Sequence, residues 1–196
     1  MQRLIENIKA FTGEVTFESL KQFIDGQDFS SLNYEKEIPQ PEQEGDYGRN
    51  ILSMQPFECV LLNWPAGIGS AVHQHKGLFG YVLVLDGNLD NVSYRMNGDR
   101  LEEYAIDSYE AGSLIPEPDG VIHKLVNHSE NQSALSLHFY YPAIKSFENM
   151  CLYDLDKKAI GVLSDKAITA SWQHTEGHFK KIKENAFQYI PYGDLK

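Results

Sequence analysis

The stretch of sequence that decides the fold is residues 67–87, GIGSAVHQHKGLFGYVLVLDG. It contains two histidines one residue apart, His73 and His75, and the apolar run YVLVL follows them. In an extended strand, residues i and i+2 point to the same face of the sheet. Both imidazoles are therefore predicted to face one side of a strand, and imidazole is a common metal ligand. A single His-x-His pair also occurs in ordinary strands and loops, so the rest of the sequence has to decide.

Length and composition are those of an ordinary globular protein. The 196 residues are enough for one domain with a substantial core and a short appendage. The contents of 42% hydrophobic and 23% charged residues are typical of soluble domains. The formal net charge of −11 argues against a nucleic-acid or membrane-surface partner, because either would require a basic patch.

Cysteine usage and the apolar runs bear on the compartment. Cys59 and Cys151 are too few for a disulfide framework and are typical of a reducing compartment, so we expect free thiols, although the two could pair. The first residues, MQRLIENIKAF, contain no long apolar segment, and no run approaches the ~20 apolar residues that a membrane span needs. We expect a soluble, cytoplasmic protein, and we expect it to be a monomer.

The first 45 residues have helical periodicity. Apolar residues recur at helical spacing around Ile8, and Gly13 breaks the pattern. Thr16 is then placed to cap a second helix, with Gly26 at the end where a C-cap favours the left-handed conformation. This segment is too short to bury a core of its own, so we interpret it as a helical extension.

From Tyr47 onward the periodicity is that of strands, with turn residues between short apolar runs. Asn97-Gly98 predicts a hairpin with a type I′ turn. The pattern predicts an all-β sandwich or barrel in one domain, with a helical extension (1–45), a core (46–145) and C-terminal strands followed by a loop-like tail (146–196). The predicted strands are 49–54, 57–64, 79–85, 88–96, 101–109, 121–126, 134–141, 150–155, 159–163 and 168–172.

A second cluster lies in residues 112–127, GSLIPEPDGVIHKLVN, with the spacing Gly-x5-Pro-x-Gly-x2-His-x3-Asn. The first stretch has Gly, five residues, His-x-His, four residues, position 80, six residues and Gly. Together they resemble the two motifs of the cupin superfamily at every fixed position but position 80. The resemblance implies a double-sheet jelly-roll barrel, with His73, His75 and His123 meeting inside it.

The exception is Gly80, because most metal-binding cupins carry a glutamate ligand at this position. Glycine cannot coordinate, so the predicted site has three neutral imidazoles and no carboxylate. A divalent ion would keep its full positive charge there, which favours an anionic ligand such as a thiolate. Half of an octahedral coordination sphere would stay open, as in a neutral variant of the usual iron oxygenase triad. The alternative is a cupin that has lost its metal and uses the barrel for packing or sugar binding.

Three polar residues, Ser136, His138 and Tyr140, alternate along SALSLHFYYP and therefore share one face of a strand. Such a face must meet solvent or line a wet cavity, and the sequence leaves both open. His138 could be a fourth metal ligand, but the alternation favours a hydrogen-bond relay. The other histidines, His128, His174 and His178, lie in polar contexts and are expected to be solvated.

Between residues 47 and 142 the chain resembles the thiol dioxygenases, and among them the cysteine dioxygenases. The resemblance is carried by Tyr47-Gly-Arg49-Asn50, His73-Gln-His75, His123 and Ser136-Leu-His138-Phe-Tyr140. It implies that the three histidines bind Fe(II), that Arg49 pairs with the substrate carboxylate, and that Tyr47 lines the pocket. It also implies that the Tyr140 hydroxyl contacts the thiol substrate and oxygen, with His138 and Ser136 behind it.

These implied roles are chemically sensible. A planar, always charged guanidinium such as that of Arg49 can clamp a carboxylate with two parallel hydrogen bonds. Iron lowers the pKa of a thiol, so cysteine would bind as the thiolate. Tyr140 could orient oxygen or stabilise developing charge by hydrogen bonding.

The implied activity is oxidation of L-cysteine by O2 to cysteine sulfinic acid, with both oxygen atoms added to sulfur, in cysteine catabolism. One alternative is a dioxygenase of 3-mercaptopropionate or a related thiol carboxylate. The family's mercaptopropionate enzymes take their carboxylate-binding arginine from elsewhere in the chain, so Arg49 favours cysteine. A non-catalytic cupin that binds a small acid is the alternative from another class. Three histidines also suit zinc, nickel or copper.

The sequence departs from animal members of this family at Gly80. Those members carry a cysteine there, which forms a thioether with the tyrosine. Since glycine cannot form it, Tyr140 is predicted to be an unmodified phenol. Bacterial-type relatives commonly have glycine, and we interpret the chain as a member of that type.

Overall fold

The computed structural model describes residues 1–172 and 176–195, so His174 lies outside the described residues. Two helices, α1 (Gln2–Lys9) and α2 (Phe17–Asp25), precede the strands, and short 3-10 helices cover Glu35–Glu37 and Tyr192–Asp194. The strands are β1 (Gly48–Ser53), β2 (Glu58–Trp64), β3 (Val72–Gln74), β4 (Phe79–Asp86), β5 (Asn88–Asn97), β6 (Arg100–Glu110), β7 (Leu114–Glu117), β8 (Ile122–Val126), β9 (Ala134–Tyr141), β10 (Cys151–Asp154), β11 (Ala159–Leu163), β12 (Phe179–Lys183) and β13 (Gln188–Ile190).

The strands form two sheets. The five-stranded sheet has the order β1-β2-β9-β4-β7, and the eight-stranded sheet has the order β12-β11-β10-β3-β8-β5-β6-β13. All named strand pairs are antiparallel except β13 with β6. The predicted all-β jelly-roll barrel of the cupin type, with short N-terminal helices, is confirmed. Among the described residues, no helix has the length and apolar character needed to cross a membrane.

Strand β2 shows how the chain forms two apolar layers. Its inward side chains, which include Val60 and Trp64, belong to the core between the sheets. Its outward side chains Cys59 and Leu61 pack with the apolar faces of the two N-terminal helices. Both faces of β2 are therefore buried, which explains its nearly continuous apolar sequence. Both cysteines are free thiols, as predicted.

The N-terminal helices form as predicted, with one correction. Thr16 accepts a hydrogen bond from the Ser19 amide, and the Ser19 hydroxyl accepts one from the Thr16 amide, which completes a capping box. The prediction that Gly26 is left-handed is wrong, because its φ is −81° and its amide donates to the Gln22 carbonyl as a further helical residue. Gly13, between the helices, has a φ of +110°.

Two parts of the C-terminal region differ from the prediction. Residues 168–172 are not a strand, because β12 occupies the edge of β11 and leaves them as a connection. The expected loop-like tail instead contributes β12 and β13 to the larger sheet. β12 has the sequence FKKIK and is mostly exposed, so it lacks the apolar alternation that marks a half-buried strand.

The β5–β6 hairpin is present, but its turn is displaced by one residue. Asn97 still pairs with Arg100, so the two loop residues are Gly98 and Asp99. Gly98 has a φ of +64°, and no positive φ occurs at Asp99. Glycine at the first central position is the type II′ arrangement, not the predicted type I′.

Candidate metal centre and active site

The three predicted histidine ligands come from neighbouring strands of the eight-stranded sheet. His73 on β3 and His123 on β8 are direct partners across the strand pair. His75 follows β3 and stays in line because its amide donates to the Val121 carbonyl at 2.9 Å. Antiparallel pairing therefore brings residues that are 50 positions apart in the sequence onto one face of the sheet.

The Nε2 atoms of these histidines converge. The separation is 2.9 Å between His73 and His75 and 3.4 Å between His75 and His123, and one donor atom of each histidine lies within 4.8 Å of the others. Burial lowers the pKa of all three imidazoles, with the neighbouring histidines adding to the effect for His75 and His123. They are therefore neutral, which is the form that binds metal.

The outer nitrogens of two of these imidazoles define their tautomers. His73 Nδ1 lies 2.9 Å from the Ala71 carbonyl, and His123 Nδ1 lies 2.8 Å from Asn91 Oδ1. Because a carbonyl oxygen can only accept, each Nδ1 carries the proton and each Nε2 lone pair faces the centre. Lone pairs at such short separations repel one another unless a cation lies between them. The cluster therefore fits a metal site.

The histidines line a cavity of about 60 Å³ between the two sheets. The five-stranded sheet supplies Tyr47, Arg49, His138 and Tyr140 to the same cavity. Since one water needs roughly 10–15 Å³ of cavity volume, there is room for only a small ligand.

Ser136, His138 and Tyr140 form a buried hydrogen-bonded chain on β9. His138 Nε2 lies 2.8 Å from Ser136 Oγ, and His138 Nδ1 lies 2.8 Å from the Tyr140 hydroxyl. These residues are at most 7% exposed, so the solvent-facing alternative is wrong. Both nitrogens of His138 are engaged, so it is not a fourth metal ligand. Burial lowers the pKa of His138 and raises that of Tyr140, so both are neutral.

Trp64 favours one direction of hydrogen-bond donation along Ser136, His138 and Tyr140. Its indole Nε1–H, which can only donate, lies 2.8 Å from Ser136 Oγ. This donor favours the arrangement in which Ser136 donates to His138 Nε2 and His138 Nδ1–H donates to the Tyr140 oxygen. The phenolic proton of Tyr140 is left to point away from His138.

Arg49 is held at the cavity by a buried carboxylate. Its Nη2 donates to Glu58 Oε1, and Glu58 Oε2 accepts the Ile144 amide at 2.8 Å. The guanidinium also lies over the Phe147 ring, 5.3 Å from the centroid. Burial raises the pKa of Glu58, and Arg49 opposes that rise. These contacts fix the guanidinium and leave some of its five N–H donors for a ligand.

Tyr47 lies beside Arg49, as the sequence predicted, and packs on Trp64 with 4.6 Å between ring centroids. Burial is the main cause that raises the pKa of Tyr47 to about 12. Its hydroxyl is therefore neutral at any pH near 7.

Gly80 lies between two residues of the site. On β4 it pairs with Tyr140 of β9 on one side and with Glu117 of β7 on the other. A Cβ at position 80 would overlap the Phe139 carbonyl oxygen and the Tyr140 ring. Glycine at position 80 therefore has two consequences. It supplies no metal ligand, and it leaves the space that the Tyr140 ring occupies.

Glu117 was not identified from the sequence, although it enters the metal site. Its side chain is 1% exposed, and its oxygens lie 3.5 Å from His75 Nδ1 and 3.4 Å from His123 Nε2. Burial raises the pKa of Glu117 to about 8. The available signal was its alternation with Ile115 on a short strand, where an inward position carries an acid. Glu58 alternates with Val60 in the same way.

The other two described histidines, His128 and His178, do not line this cavity. The His128 side chain is 67% exposed, as expected, and is 3.5 Å from Asp90. The expectation that His178 is solvated is wrong, since it is 4% exposed and packs edge-on against Phe179. The His178 carbonyl accepts the Ser164 amide, and this hydrogen bond holds the segment that carries His178 against the end of β11.

The family model described as cysteine dioxygenase type I matches residues 42–152, more than half of the chain. The chain belongs to the cysteine dioxygenase type I family. The matched segment includes every residue that the sequence predicted for the site. Family membership and the three-histidine cluster together fit a metal site for this protein.

Individual relatives match over a shorter length. Cysteine dioxygenase type 1 from Homo sapiens and from Pongo abelii are each 27% identical over 103 residues, which are 49% of this chain and 51% of the relative. The chain thus spans about half the length of the curated relatives it matches. Among solved structures, a conserved protein with a double-stranded β-helix domain from Klebsiella pneumoniae has a TM-score of 0.49 at 16% identity, covering 63% of this chain and 97% of that one. A cupin 2 conserved barrel domain protein from Salinispora arenicola has a TM-score of 0.42 at 17% identity, covering 56% and 86%.

Proposed function

We propose that this protein is an iron-dependent thiol dioxygenase that converts L-cysteine and O2 to cysteine sulfinic acid. The observation that carries the proposal is that the three imidazoles, Arg49 and Tyr140 line one small cavity. In this reaction both atoms of O2 are transferred to sulfur, so no further reductant is needed. Cysteine catabolism, a cytoplasmic location and a monomeric state belong to the same proposal.

His73, His75 and His123 would hold the metal, which we propose to be Fe(II). Ferrous iron, when bound, supplies the coordination site for the thiol and the redox chemistry that activates dioxygen. The three ligands are neutral, so the protein's imidazoles leave the charge of the ion uncompensated. That charge favours a substrate that binds as a thiolate.

Arg49 would orient the substrate by binding its carboxylate. The arginine and the histidines come from opposite sheets and line the same cavity, so a ligand can contact both ends. Glu58 holds the guanidinium in place, which reduces the ordering cost when a carboxylate binds. The small volume excludes most of the water that would weaken this charge-assisted contact.

Tyr140 would donate its phenolic hydrogen bond to the reacting groups. His138 Nδ1 lies 2.8 Å from the phenol oxygen, and the chain that begins at Trp64 directs donors toward Tyr140. The phenol is therefore ready to donate without rearranging. Such a preorganised donor stabilises charge that develops during oxygen transfer.

Oxygen uptake by anaerobically iron-loaded protein tests the proposal. Cysteine, 3-mercaptopropionate and cysteamine are compared, and the product is identified by mass spectrometry after reaction with ¹⁸O₂. We expect cysteine to give the highest kcat/KM, with both oxygen atoms of the sulfinate labelled. A higher kcat/KM for 3-mercaptopropionate would reassign the substrate. Stoichiometric iron without oxygen uptake for any thiol would favour the non-catalytic alternative.

A further inference from the structure

The carboxyl group of Glu117 has no role in the function proposed above, although it is buried against the metal-site histidines. Neither of its oxygens has a hydrogen-bond partner of normal geometry among the described residues, although the Tyr140 phenol lies close enough to lower the pKa of the carboxyl group. It enters the cavity from β7, the edge strand opposite Gly80, and faces imidazoles that belong to the other sheet. A buried acid that makes no hydrogen bond of normal geometry is rare enough to require an explanation.

The outer nitrogens of the three imidazoles explain why a carboxyl group is buried at this place. His73 and His123 each have an acceptor for Nδ1, at 2.9 and 2.8 Å. His75 Nδ1 is buried and has no hydrogen-bond partner within the described part of the chain. The oxygen recorded near it belongs to Glu117, whose Oε2 lies 3.5 Å away. The two unpaired groups therefore lie next to each other.

We propose that Glu117 is a positioning residue that accepts the Nδ1–H of His75 when His75 Nε2 binds the metal. The inference rests on the metal site of the proposed function. Coordination through Nε2 requires the proton on Nδ1, and a buried N–H requires an acceptor. A carboxyl oxygen in this position accepts the N–H whether or not the group is ionised, and it thereby fixes the orientation of the ring for coordination. Each of the three imidazoles then has one acceptor.

The distances favour a Glu117 carboxyl group that contacts the His75 ring over one that coordinates the metal directly. Oε1 is 3.4 Å from His123 Nε2, which places it near the centre. However, the group of donor atoms that all lie within 4.8 Å of one another contains the three histidines and does not include Glu117. The carboxyl group therefore lies to one side of the cluster, against His75 and His123.

Nuclear magnetic resonance of the zinc-loaded protein, labelled with ¹⁵N-histidine, tests the contact directly. Zinc accepts imidazole ligands and is diamagnetic. In the wild type we expect a slowly exchanging Nδ1–H signal for each of His73, His75 and His123. In Glu117→Leu the His75 signal should move upfield and exchange faster, while the other two stay unchanged. An unchanged His75 signal would overturn the inference.

Metal affinity gives the second readout. Competition with a chromophoric chelator should show Fe(II) and zinc binding weakened about 10–100-fold in Glu117→Leu, and about 10-fold in Glu117→Gln, whose amide oxygen still accepts. Glu102→Gln, a buried acid on β6 paired with Arg95, is the matched control and should bind as the wild type does. If Glu117→Leu does not fold, the nearly isosteric Glu117→Gln carries both measurements.

The outcomes separate this inference from the proposed function. If wild-type protein does not bind metal, or His123→Ala still binds it, the proposed metal site fails. If the wild type binds and His123→Ala does not, while the Glu117 variants match the wild type, only the role of Glu117 fails. If visible absorption of the cobalt-substituted Glu117→Gln shows a lower coordination number, Glu117 is a ligand itself, which overturns the positioning role.

Discussion

Gly80 lies directly opposite Tyr140 in the five-stranded sheet, and the Tyr140 ring fills the space that a side chain at position 80 would need. The phenol is therefore positioned by the missing side chain and by its hydrogen bond to His138. In place of a covalent link between these two positions, packing fixes the tyrosine.

The first prediction concerns this close approach. Gly80→Ala should lower the free energy of unfolding by about 1–3 kcal/mol, because the added Cβ overlaps the Phe139 backbone and the Tyr140 ring. Urea unfolding measures the effect. Gly193→Ala is the control, since its Cβ would meet open space, and it should change stability by less than about 0.5 kcal/mol. Equal stability of the two variants would contradict the steric account.

The second prediction concerns metal binding. His123→Ala should abolish stoichiometric Fe(II) binding without unfolding the protein, because the remaining pair is an incomplete ligand set. Metal analysis after gel filtration and circular dichroism measure both quantities. His128→Ala removes an exposed histidine far from the cavity and should bind as the wild type does. Retained iron in His123→Ala would exclude the three-histidine site.

The third prediction concerns the substrate carboxylate. Arg49→Ala should raise KM for cysteine at least ~10-fold, because a charge-assisted hydrogen bond is lost. KM for cysteamine, which has no carboxylate, should change much less. Steady-state oxygen uptake with both thiols measures the difference. Equal effects on the two substrates would remove Arg49 from the substrate pocket.

Two further variants control this experiment. Arg95→Ala removes a more exposed arginine on β5 and should leave both KM values unchanged. Arg49→Ala also leaves Glu58 buried without its ion-pair partner, which destabilises the fold. Arg49→Lys keeps a charge beside Glu58 and tests the same contact if the alanine variant is unstable, because lysine cannot form the bidentate pair.

The fourth prediction concerns the phenol. Tyr140→Phe should lower kcat at least ~10-fold, because the preorganised donor at the reacting groups is lost. Tyr141→Phe changes the neighbouring tyrosine, which packs against Phe79 and lies outside the cavity, and should leave kcat unchanged. A wild-type kcat for Tyr140→Phe would make the hydroxyl structural.

The fifth prediction concerns alkaline pH. Burial raises the pKa of Tyr153 to about 12 in the folded protein, against 10.0 for an ordinary phenol. The unfolded chain therefore releases this proton first, so stability is fully present below pH 10 and falls between about pH 10 and 12. The slope from this one phenol is at most about 1.4 kcal/mol per pH unit.

Urea unfolding at pH 9, 10 and 11 measures that slope. Tyr153→Phe should flatten it, because the variant has no proton to release at this position. Tyr192→Phe changes a half-exposed tyrosine and serves as the control. An identical slope in the wild type and in Tyr153→Phe would contradict the assignment.

The local pattern was enough to predict most strands and the positions of the ligand histidines. Strand alternation placed His73 and His75 on one face, and the resemblance of the second cluster to the cupin motif added His123. It failed where local signals are weak. The exposed lysine-rich strand β12 is stabilised by its pairing with β11, a neighbour that the local sequence does not reveal. The hairpin turn shifted by one residue because cross-strand pairing continues through Asn97.

The sequence by itself determined the fold class, the three imidazoles and the absence of a side chain at Gly80, because each depends on residue type and spacing along the chain. Only the tertiary structure decided that Glu58 holds Arg49, that Trp64 begins the chain leading to Tyr140, and that Glu117 lies beside His75. Each of these contacts joins strands that are distant in the sequence. Their distances depend on how the two sheets close around the cavity, which no single segment encodes.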